Sequence, residues 1–260
     1  MGLSKSIYRA ATIALQTGWP SIWTGSPGTG KTQTFYSIAR HFFREAVATG
    51  TIPEDTKFES FAPDFVLGQM APEDVNGIPY IDNGVQRRAI PTYAAELSRL
   101  GRGILVGDEF GTAPPSVQAA ALKAFDEGKV GDTILPDTVW RICATNDTNV
   151  AGNYDMTAAA ANRFWHWKFP ENELADWSEG LLAGFPEVEV DTLPEDWKAH
   201  VPEARAMIVG YLQTKPENLH AMPDDDSAAG QAWPSQRSWT MAADMVAAHL
   251  ASDGTTSERA

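Results

Sequence analysis

Cysteine is nearly absent from this chain, and histidine is scarce. The only cysteine is Cys143, so one chain can form neither an internal disulfide nor a multi-cysteine metal site. The five histidines show no spacing typical of metal ligands. We therefore expect a reducing, cytoplasmic setting, in which disulfides are rare.

Positive charge and long apolar runs are also lacking. The sequence has 20 Lys and Arg against 34 Asp and Glu, which gives a formal net charge of −14. Nucleic acids bind basic surfaces, so we expect no general DNA- or RNA-binding role, although a local basic stripe stays open. No apolar stretch approaches the ~18 residues of a membrane-spanning helix, so no membrane partner is expected. Lys5 and Arg9 precede only a short apolar run broken by Gln16, which predicts no secretory signal.

The composition is that of a folded protein, because 43% of the residues are hydrophobic and 21% are charged, which argues against disorder. Short apolar runs alternate with stretches of helical periodicity. This pattern predicts strands at 21–24, 57–61, 103–107, 139–144 and 164–169, and helices at 3–17, 31–47, 92–100 and 114–127. Turn residues predict two hairpins, at 78–87 and 129–138. Such alternation predicts an α/β fold whose parallel sheet has helices on both faces.

The strand signals fade after Phe169. Helices are predicted at 171–183, 195–214 and 235–251, and acidic, proline-bearing loops separate them. We therefore predict an α/β nucleotide-binding core over residues 1–169 and a small all-helical lid over 170–254. The polar tail at 255–260 is expected to be frayed.

A glycine-rich turn lies between the first strand and the second helix and satisfies the pattern G-x-x-x-x-G-K-[ST]. Glycines let backbone N–H groups curl around phosphates, and the helix that follows presents its positive dipole end. The lysine would neutralise the β- and γ-phosphates, and the threonine hydroxyl would face Mg²⁺. The candidate phosphate-binding residues are Gly25, Ser26, Pro27, Gly28, Thr29, Gly30, Lys31 and Thr32.

Polar residues follow the next two buried strands. In an open parallel sheet, the ligand crevice lies at the carboxyl ends of the strands. Asp108 would hold the Mg²⁺ shell there, and Glu109 would polarise the attacking water. Asn146 would orient that water or contact the γ-phosphate. Taken alone, an Asp-Glu pair is often a solvated strand end, and an Asn after a strand is often a turn residue.

Two arginines complete the candidate set. Arg163 lies just before the last predicted strand, and Arg237 starts a helix of the lid. Each has an ordinary interpretation as a surface charge. Alternatively, Arg163 would reach a neighbouring subunit's nucleotide as an arginine finger, and Arg237 would contact the phosphate of its own subunit.

These motifs, in this order, resemble an AAA+ ATPase and are most similar to the MoxR branch. The resemblance covers about residues 5–250. Besides the glycine-rich turn and a segment at 64–78, it rests on Val-Gly-Asp-Glu-Phe-Gly-Thr-Ala-Pro-Pro-Ser-Val-Gln at 106–118, Ala-Thr-Asn-Asp at 144–147, Asn-Arg-Phe at 162–164 and Pro-Ser-Gln-Arg at 234–237.

The resemblance implies a role for each motif. It implies Walker A at 25–32, Walker B at Asp108 and Glu109, and sensor 1 at Asn146. Arg163 would be the arginine finger and Arg237 sensor 2. The hairpins at 78–87 and 129–138 would be the helix-2 insert and the pre-sensor-1 hairpin.

The sequence also departs from the family. Asn162 stands where the family often has Asp, and the alanines at 159–161 replace a more acidic stretch. Arg87 and Arg88 are therefore competing candidates for the arginine that acts in trans.

The function implied is Mg²⁺-dependent ATP hydrolysis by a homo-oligomeric ring, with six subunits expected. The ring would remodel or activate a partner protein in a chaperone-like way, often one with a von Willebrand A type domain. A nucleotide-gated assembly or scaffold protein with little turnover is the alternative. The charge of −14 disfavours a third interpretation, a DNA-linked motor.

Overall fold

The computed structural model describes residues 2–147, 154, 156–171, 174–185, 187–188 and 190–253. The tail predicted to be frayed, 255–260, lies outside this part of the chain. The chain forms two compact units, each built from separate segments. The sheet unit contains residues 20–154 and 167–188. The helical unit contains the described residues within 1–19, 155–166 and 189–253.

A five-stranded sheet forms the centre of the sheet unit, although the first two residues of its last strand, Trp165 and His166, are assigned to the helical unit. Its strands, in chain order, are β1 (Ser21–Thr24), β2 (Asp64–Val66), β5 (Gly103–Asp108), β8 (Val139–Thr145) and β9 (Trp165–Lys168). Across the sheet the order is β2-β5-β8-β1-β9. β1 and β5 each pair in parallel with β8, and β2 pairs in parallel with β5. The predicted α/β fold, a parallel sheet flanked by helices with a further helical region, is confirmed.

The helices of the sheet unit are α2 (Lys31–Ala48), α3 (Phe58–Phe61), α4 (Pro72–Asn76), α5 (Thr92–Leu100), α6 (Pro115–Glu127) and α8 (Leu174–Ala183), with 3-10 turns at Leu67–Gln69 and Phe110–Thr112. The interior side chains of β5 are at most 1% exposed at Ile104, Leu105 and Val106. A strand buried on both faces needs a continuous apolar run, which is the pattern that predicted it. Each buried aliphatic or aromatic side chain contributes about 1.5–3 kcal/mol through the apolar area removed from water.

The strand predicted at 57–61 is wrong, because this segment forms helix α3. Phe58 and Phe61 are three residues apart, and both rings pack on Phe43, with centroids 5.6 and 5.5 Å away. This spacing is that of one helical face. Pro63 follows, and the residue before a proline disfavours helical backbone, so the chain becomes extended only at β2.

Both predicted hairpins are confirmed. The first pairs β3 (Pro79–Asp82) with β4 (Val85–Arg88), and the second pairs β6 (Lys129–Val130) with β7 (Thr133–Ile134). In the first turn Asn83 and Gly84 both have positive φ, 49° and 79°. Asn-Gly is the pair that favours this two-residue turn, because both residues tolerate left-handed backbone.

The helical unit contains α1 (Gly2–Gln16), α7 (Ala158–Ala161), α9 (Val201–Thr214), α10 (Asp226–Ala229) and α11 (Gln236–Asp253), with 3-10 turns at Trp197–His200 and Pro216–Leu219. Its buried cluster consists of Ile13, Leu193, Trp197, Ala204, Ala247 and Ala248. Arg9 binds Asp191 at 2.6 Å, and the Trp19 indole N–H donates to Asp244 at 2.9 Å. Helix α1 therefore belongs to this unit although it opens the chain. Among the described residues, no helix has both the length and the apolarity to cross a bilayer.

Candidate functional site

The glycine-rich turn connects β1 to α2. Its first N–H, on Gly25, donates to the Thr145 carbonyl at 3.3 Å, which ties the loop to the end of β8. Gly28 and Gly30 have φ of 77° and 98°, a region that disfavours other residues. Nothing lies within 4 Å of the points where their Cβ atoms would stand. The loop is thus an open cradle of backbone groups at the start of an 18-residue helix.

Lys31, the first residue of α2, is buried at the base of this cradle and is only 7% exposed. Its Nζ donates to the carbonyls of Gly25 and Ser26 at 2.8 and 2.9 Å. It also donates to Asn146 Oδ1 at 3.1 Å. Burial of the ammonium lowers the pKa of Lys31, and the charges of Asp108 and Asp147 act in the opposite direction. A cation is therefore fixed where the helix dipole already favours an anion.

Thr32 and Asp108 meet beside the lysine. The Thr32 hydroxyl donates to Asp108 Oδ2 at 2.6 Å, and the other oxygen, Oδ1, accepts the N–H of Glu109 at 2.8 Å. A hydroxyl and a carboxylate are oxygen ligands of the kind that Mg²⁺ prefers. The open cradle, the buried cation and this oxygen pair fit a magnesium nucleotide.

Glu109 has an unusual backbone for a residue with a side chain. Its φ and ψ are 55° and 40°, in the left-handed region, which costs about 1–2 kcal/mol in a residue other than glycine. Strain of this kind is often retained where function needs it. The Thr112 hydroxyl lies 3.0 Å from the Glu109 carbonyl oxygen and 3.4 Å from its carboxylate oxygen Oε2. The sequence motif predicted neither the turn nor this contact.

Asp147 belongs to the Ala-Thr-Asn-Asp motif, but sequence reasoning assigned it no role in the site. It directly follows Asn146, and its Oδ2 lies 3.4 Å from the hydroxyl of Ser26 in the glycine-rich loop. Its position directly after Asn146, at the end of the same strand, is the feature of the sequence that could have indicated a place in the site. The charges of two carboxylates, Asp108 and Asp147, therefore act on Lys31.

Tyr36 and Asp64 form a further polar pair in the sheet unit. Tyr36 lies one helical turn after Thr32 on α2, and its hydroxyl donates to Asp64 Oδ2. Burial and the Asp64 carboxylate raise the pKa of Tyr36 to about 12. Asp64 lies beside Val106 in the parallel register, and since side chains two apart share a face, it lies on the face that carries Asp108.

The two predicted arginines lie in the helical unit. The Arg163 N–H donates to the Ala160 carbonyl at 3.0 Å in the turn after α7, and Arg237 is the second residue of α11. Their segments are joined because the Ser235 hydroxyl donates to Asn162 Oδ1 at 2.8 Å. The roles given to Arg163 and Arg237 stay predictions.

The alternative arginines are both engaged in the first hairpin. Arg87 pairs with Asp82 at 3.2 Å across β3 and β4. Arg88 Nη1 donates to the Gly77 carbonyl at 2.8 Å, and the Arg88 N–H donates to Asp132 in the second hairpin at 3.0 Å. These contacts give both residues a structural role.

The described part of the chain also has a cavity away from the phosphate loop. It lies in the helical unit, has a volume of about 270 Å³, and is mostly apolar, with Phe164, Trp165, His166, Trp233 and Trp239 in its lining. We place the candidate site at the strand ends of the sheet unit instead. There the charged and polar groups converge, and the cavity lining lacks such a cluster.

Comparisons with known proteins give no family assignment. No protein-family model matches the sequence. No curated protein matches it either.

Solved structures resemble the chain only loosely. A protein of Cytophaga hutchinsonii that is provisionally classed as an ATPase is 14% identical, with a TM-score of 0.46, and the match covers 87% of this chain and 71% of that protein. A full-length MCM homologue from Methanopyrus kandleri is 16% identical, with a TM-score of 0.45, and the match covers 95% of this chain and 57% of that protein. At these values neither likeness bears on substrate, partner or mechanism.

Proposed function

We propose that this chain is a Mg²⁺-dependent ATPase of the AAA+ class, most similar to the MoxR branch. One observation carries the proposal. Lys31 is held at the base of an open glycine-rich cradle, and next to it the Thr32 hydroxyl contacts the Asp108 carboxylate at 2.6 Å. Binding of a triphosphate needs a cation and backbone N–H groups, and hydrolysis needs a metal site beside them.

We call Lys31, Thr32, Asp108, Glu109 and Asn146 the strand-end cluster, and each of these residues has a role in the proposed reaction. The cradle at 25–32 would bind the phosphates, and Lys31 would neutralise their charge. Thr32 and Asp108 would hold Mg²⁺, which when bound neutralises charge that develops on the transferred phosphoryl group. Glu109 would polarise the attacking water, and Asn146 would orient it. No covalent intermediate with the protein is needed, because phosphoryl transfer depends mainly on positioning and charge.

The oligomeric part of the proposal rests on the sequence resemblance. Arg163 would complete the site of a neighbouring copy, and Arg237 would act in its own subunit. The copies would form a ring, expected to be a hexamer, that remodels or activates a partner protein, with a von Willebrand A type domain as the expected partner module. Native mass measurements with and without ATP and Mg²⁺ test the ring. A chain that stays monomeric under all these conditions contradicts it.

Two variants test the nucleotide chemistry. Lys31→Ala should lose most ATP affinity, because the phosphates lose their buried cation. Glu109→Gln keeps the shape of the side chain and should bind ATP while hydrolysing it at least about tenfold more slowly. Calorimetry gives the binding constant, and steady-state phosphate release gives the turnover.

The outcomes separate binding from chemistry. If Lys31→Ala binds ATP within a few-fold of wild type, the phosphate-loop assignment is wrong. Near-normal turnover of Glu109→Gln would move the water-polarising role to another residue.

The Thr112 contact favours a second candidate, a nucleotide-gated assembly protein with little turnover. A carboxylate that is engaged by a hydroxyl is less available to polarise water. Phosphate release by wild type at saturating ATP decides between the two. Multiple turnovers per subunit support the ATPase, and ATP binding with almost no release supports the gated assembly.

A further inference from the structure

An acidic side chain faces the phosphate cradle without a place in the proposed chemistry. Asp147 Oδ2 lies 3.4 Å from the Ser26 hydroxyl, in the loop that would receive the phosphates. Lys31, the cation of that loop, also donates to Asn146, the neighbour of Asp147 in sequence. The carboxylate is therefore held at the rim of the cradle.

This carboxylate differs from the other one near Lys31. Asp108 contacts Thr32, and a magnesium ion held by that pair would offset its charge. Asp147 contacts Ser26 in the loop and is not part of the oxygen pair. Its negative charge would meet the charge of incoming phosphates at short range, and like charges in a partly buried site repel strongly.

The negative charges of both carboxylates act on the Lys31 ammonium. The charges of Asp108 and Asp147 both raise the pKa of Lys31 against the effect of burial. The ammonium is thus satisfied by the protein's own oxygens, the carbonyls of Gly25 and Ser26 among them. A phosphate that binds here has to compete with those groups for the same cation.

We propose that Asp147 is a specificity-determining residue that repels metal-free nucleotide from the cradle, so that the site selects the magnesium complex, which carries less negative charge. The inference rests on the proposed function, since it assumes that the cradle binds a nucleoside triphosphate. Asp147 acts through its charge on the phosphates and on Lys31.

The test compares ATP binding with excess EDTA and with excess Mg²⁺, measured by calorimetry at low salt. Asp147→Asn keeps the size of the side chain and its contact with Ser26 but removes the charge. Its affinity for metal-free ATP should rise on the order of tenfold, while that for the magnesium complex should change less than about threefold. The gain should shrink as ionic strength rises, because salt screens the repulsion.

Two further variants serve as controls. Asp137→Asn makes the same charge change beyond the opposite end of β8, a strand that is itself roughly 23 Å long, and should not alter binding. Asp147→Glu keeps the charge and should select the magnesium complex as wild type does. If Asp147→Asn fails to fold, Asp147→Ser removes the same charge with a smaller side chain.

The results distinguish this inference from the proposed function. If wild type does not bind ATP, or if Lys31→Ala binds it equally well, the nucleotide site itself is wrong. If Lys31→Ala loses binding but Asp147→Asn binds metal-free ATP no more tightly than wild type, only the role of Asp147 is overturned. An equal gain for Asp147→Glu also overturns it, because the charge would then not be the cause.

Discussion

The strand-end cluster of the sheet unit and the arginine-bearing segments of the helical unit are assembled by different means. In the first, Lys31, Asp108 and Asn146 meet because parallel strands end at the same edge of a sheet. In the second, the segments with Arg163 and Arg237 are joined by side-chain contacts such as the hydrogen bond from Ser235 to Asn162. Backbone topology places the first group and tertiary packing the second, so variants of the two groups should fail in different ways.

The largest effect is expected from Arg163→Ala. An arginine finger acts mainly on the transition state, so turnover should fall by about 10³-fold or more while ATP affinity stays nearly unchanged. Arg205→Ala, at an exposed position of α9 in the same unit, is the matched control and should leave turnover intact. Phosphate release and calorimetry measure the two quantities.

Action in trans gives this variant a second signature. Wild-type turnover should rise more steeply than linearly with protein concentration, because each site is completed by a neighbour. Mixing Arg163→Ala with Glu109→Gln should restore some activity, since one interface can carry both intact groups. If native mass measurements show that mixed rings form and these rings are inactive, Arg163 does not act in trans. Arg87 and Arg88 would then be the candidates for that role.

The next largest effect concerns the strand that leads into the cradle. Trp23 on β1 is 1% exposed, and its ring lies 5.8 Å from Phe35 and 5.7 Å from Phe169, measured between centroids. Trp23→Ala should lower the free energy of unfolding by about 3–5 kcal/mol, as expected for a truncated core aromatic. Trp177 on α8 is 45% exposed, so Trp177→Ala should change the free energy of unfolding by no more than about 0.5 kcal/mol. Urea unfolding measures both, and equal losses would contradict the packing argument.

Part of the sheet unit was predictable, because β5 contains a short apolar run bounded by glycines and the first hairpin has a typical two-residue turn. The strand predicted at 103–107 is observed as Gly103–Asp108, and the hairpin with Asn83 and Gly84 forms as predicted. The strand prediction at 57–61 was wrong because phenylalanine is common in strands, whereas the three-residue spacing of Phe58 and Phe61 is that of a helix. Periodicity over five residues does not separate these two cases.

Contacts between distant parts of the chain were beyond such reasoning. Helix α1 joins the helical unit through contacts such as Arg9 with Asp191 and the packing of Ile13 in the buried cluster, and residue spacing contains no information about such pairs. The same holds within the site. Motif spacing predicted Lys31, Asp108 and Asn146, whereas the approach of Asp147 to Ser26 depends on side-chain conformation.

The junction between the arginine-bearing segments gives a smaller expected effect. Ser235 is 4% exposed, and besides Asn162 its hydroxyl accepts the Ser238 N–H at 3.1 Å, which caps α11. Ser235→Ala removes the cap and the junction together and should lower the free energy of unfolding by about 1–2 kcal/mol. Ser235→Thr keeps a hydroxyl and should recover most of the loss. If both variants are equally destabilised, packing around Ser235 rather than its hydrogen bonds is responsible.

The smallest effect tests whether the strand-end cluster is as closely fitted as its contacts suggest. A Cβ on Gly68 would lie 2.4 Å from Thr112 Oγ1 and 3.3 Å from Glu109 Oε2. Since the first distance is too short, Gly68→Ala should turn the Thr112 side chain away and displace the Glu109 carboxylate. We expect turnover to fall on the order of tenfold, in the range for a misplaced water-polarising group, with ATP affinity within about twofold of wild type.

Two further variants decide what a loss in Gly68→Ala means. Gly210→Ala adds the same methyl group on α9, where nothing lies within 4 Å of the new atom, and should leave turnover unchanged. Thr112→Val removes the hydroxyl without adding volume near Gly68. If the hydroxyl positions Glu109 for the reaction, this variant should reproduce the loss, while Thr112→Ser should retain activity. If the contact instead withholds Glu109 from water, as in the gated assembly, Thr112→Val should raise turnover. Normal turnover in Thr112→Val together with a loss in Gly68→Ala would mean that crowding of Glu109, and not its contact with Thr112, controls the reaction.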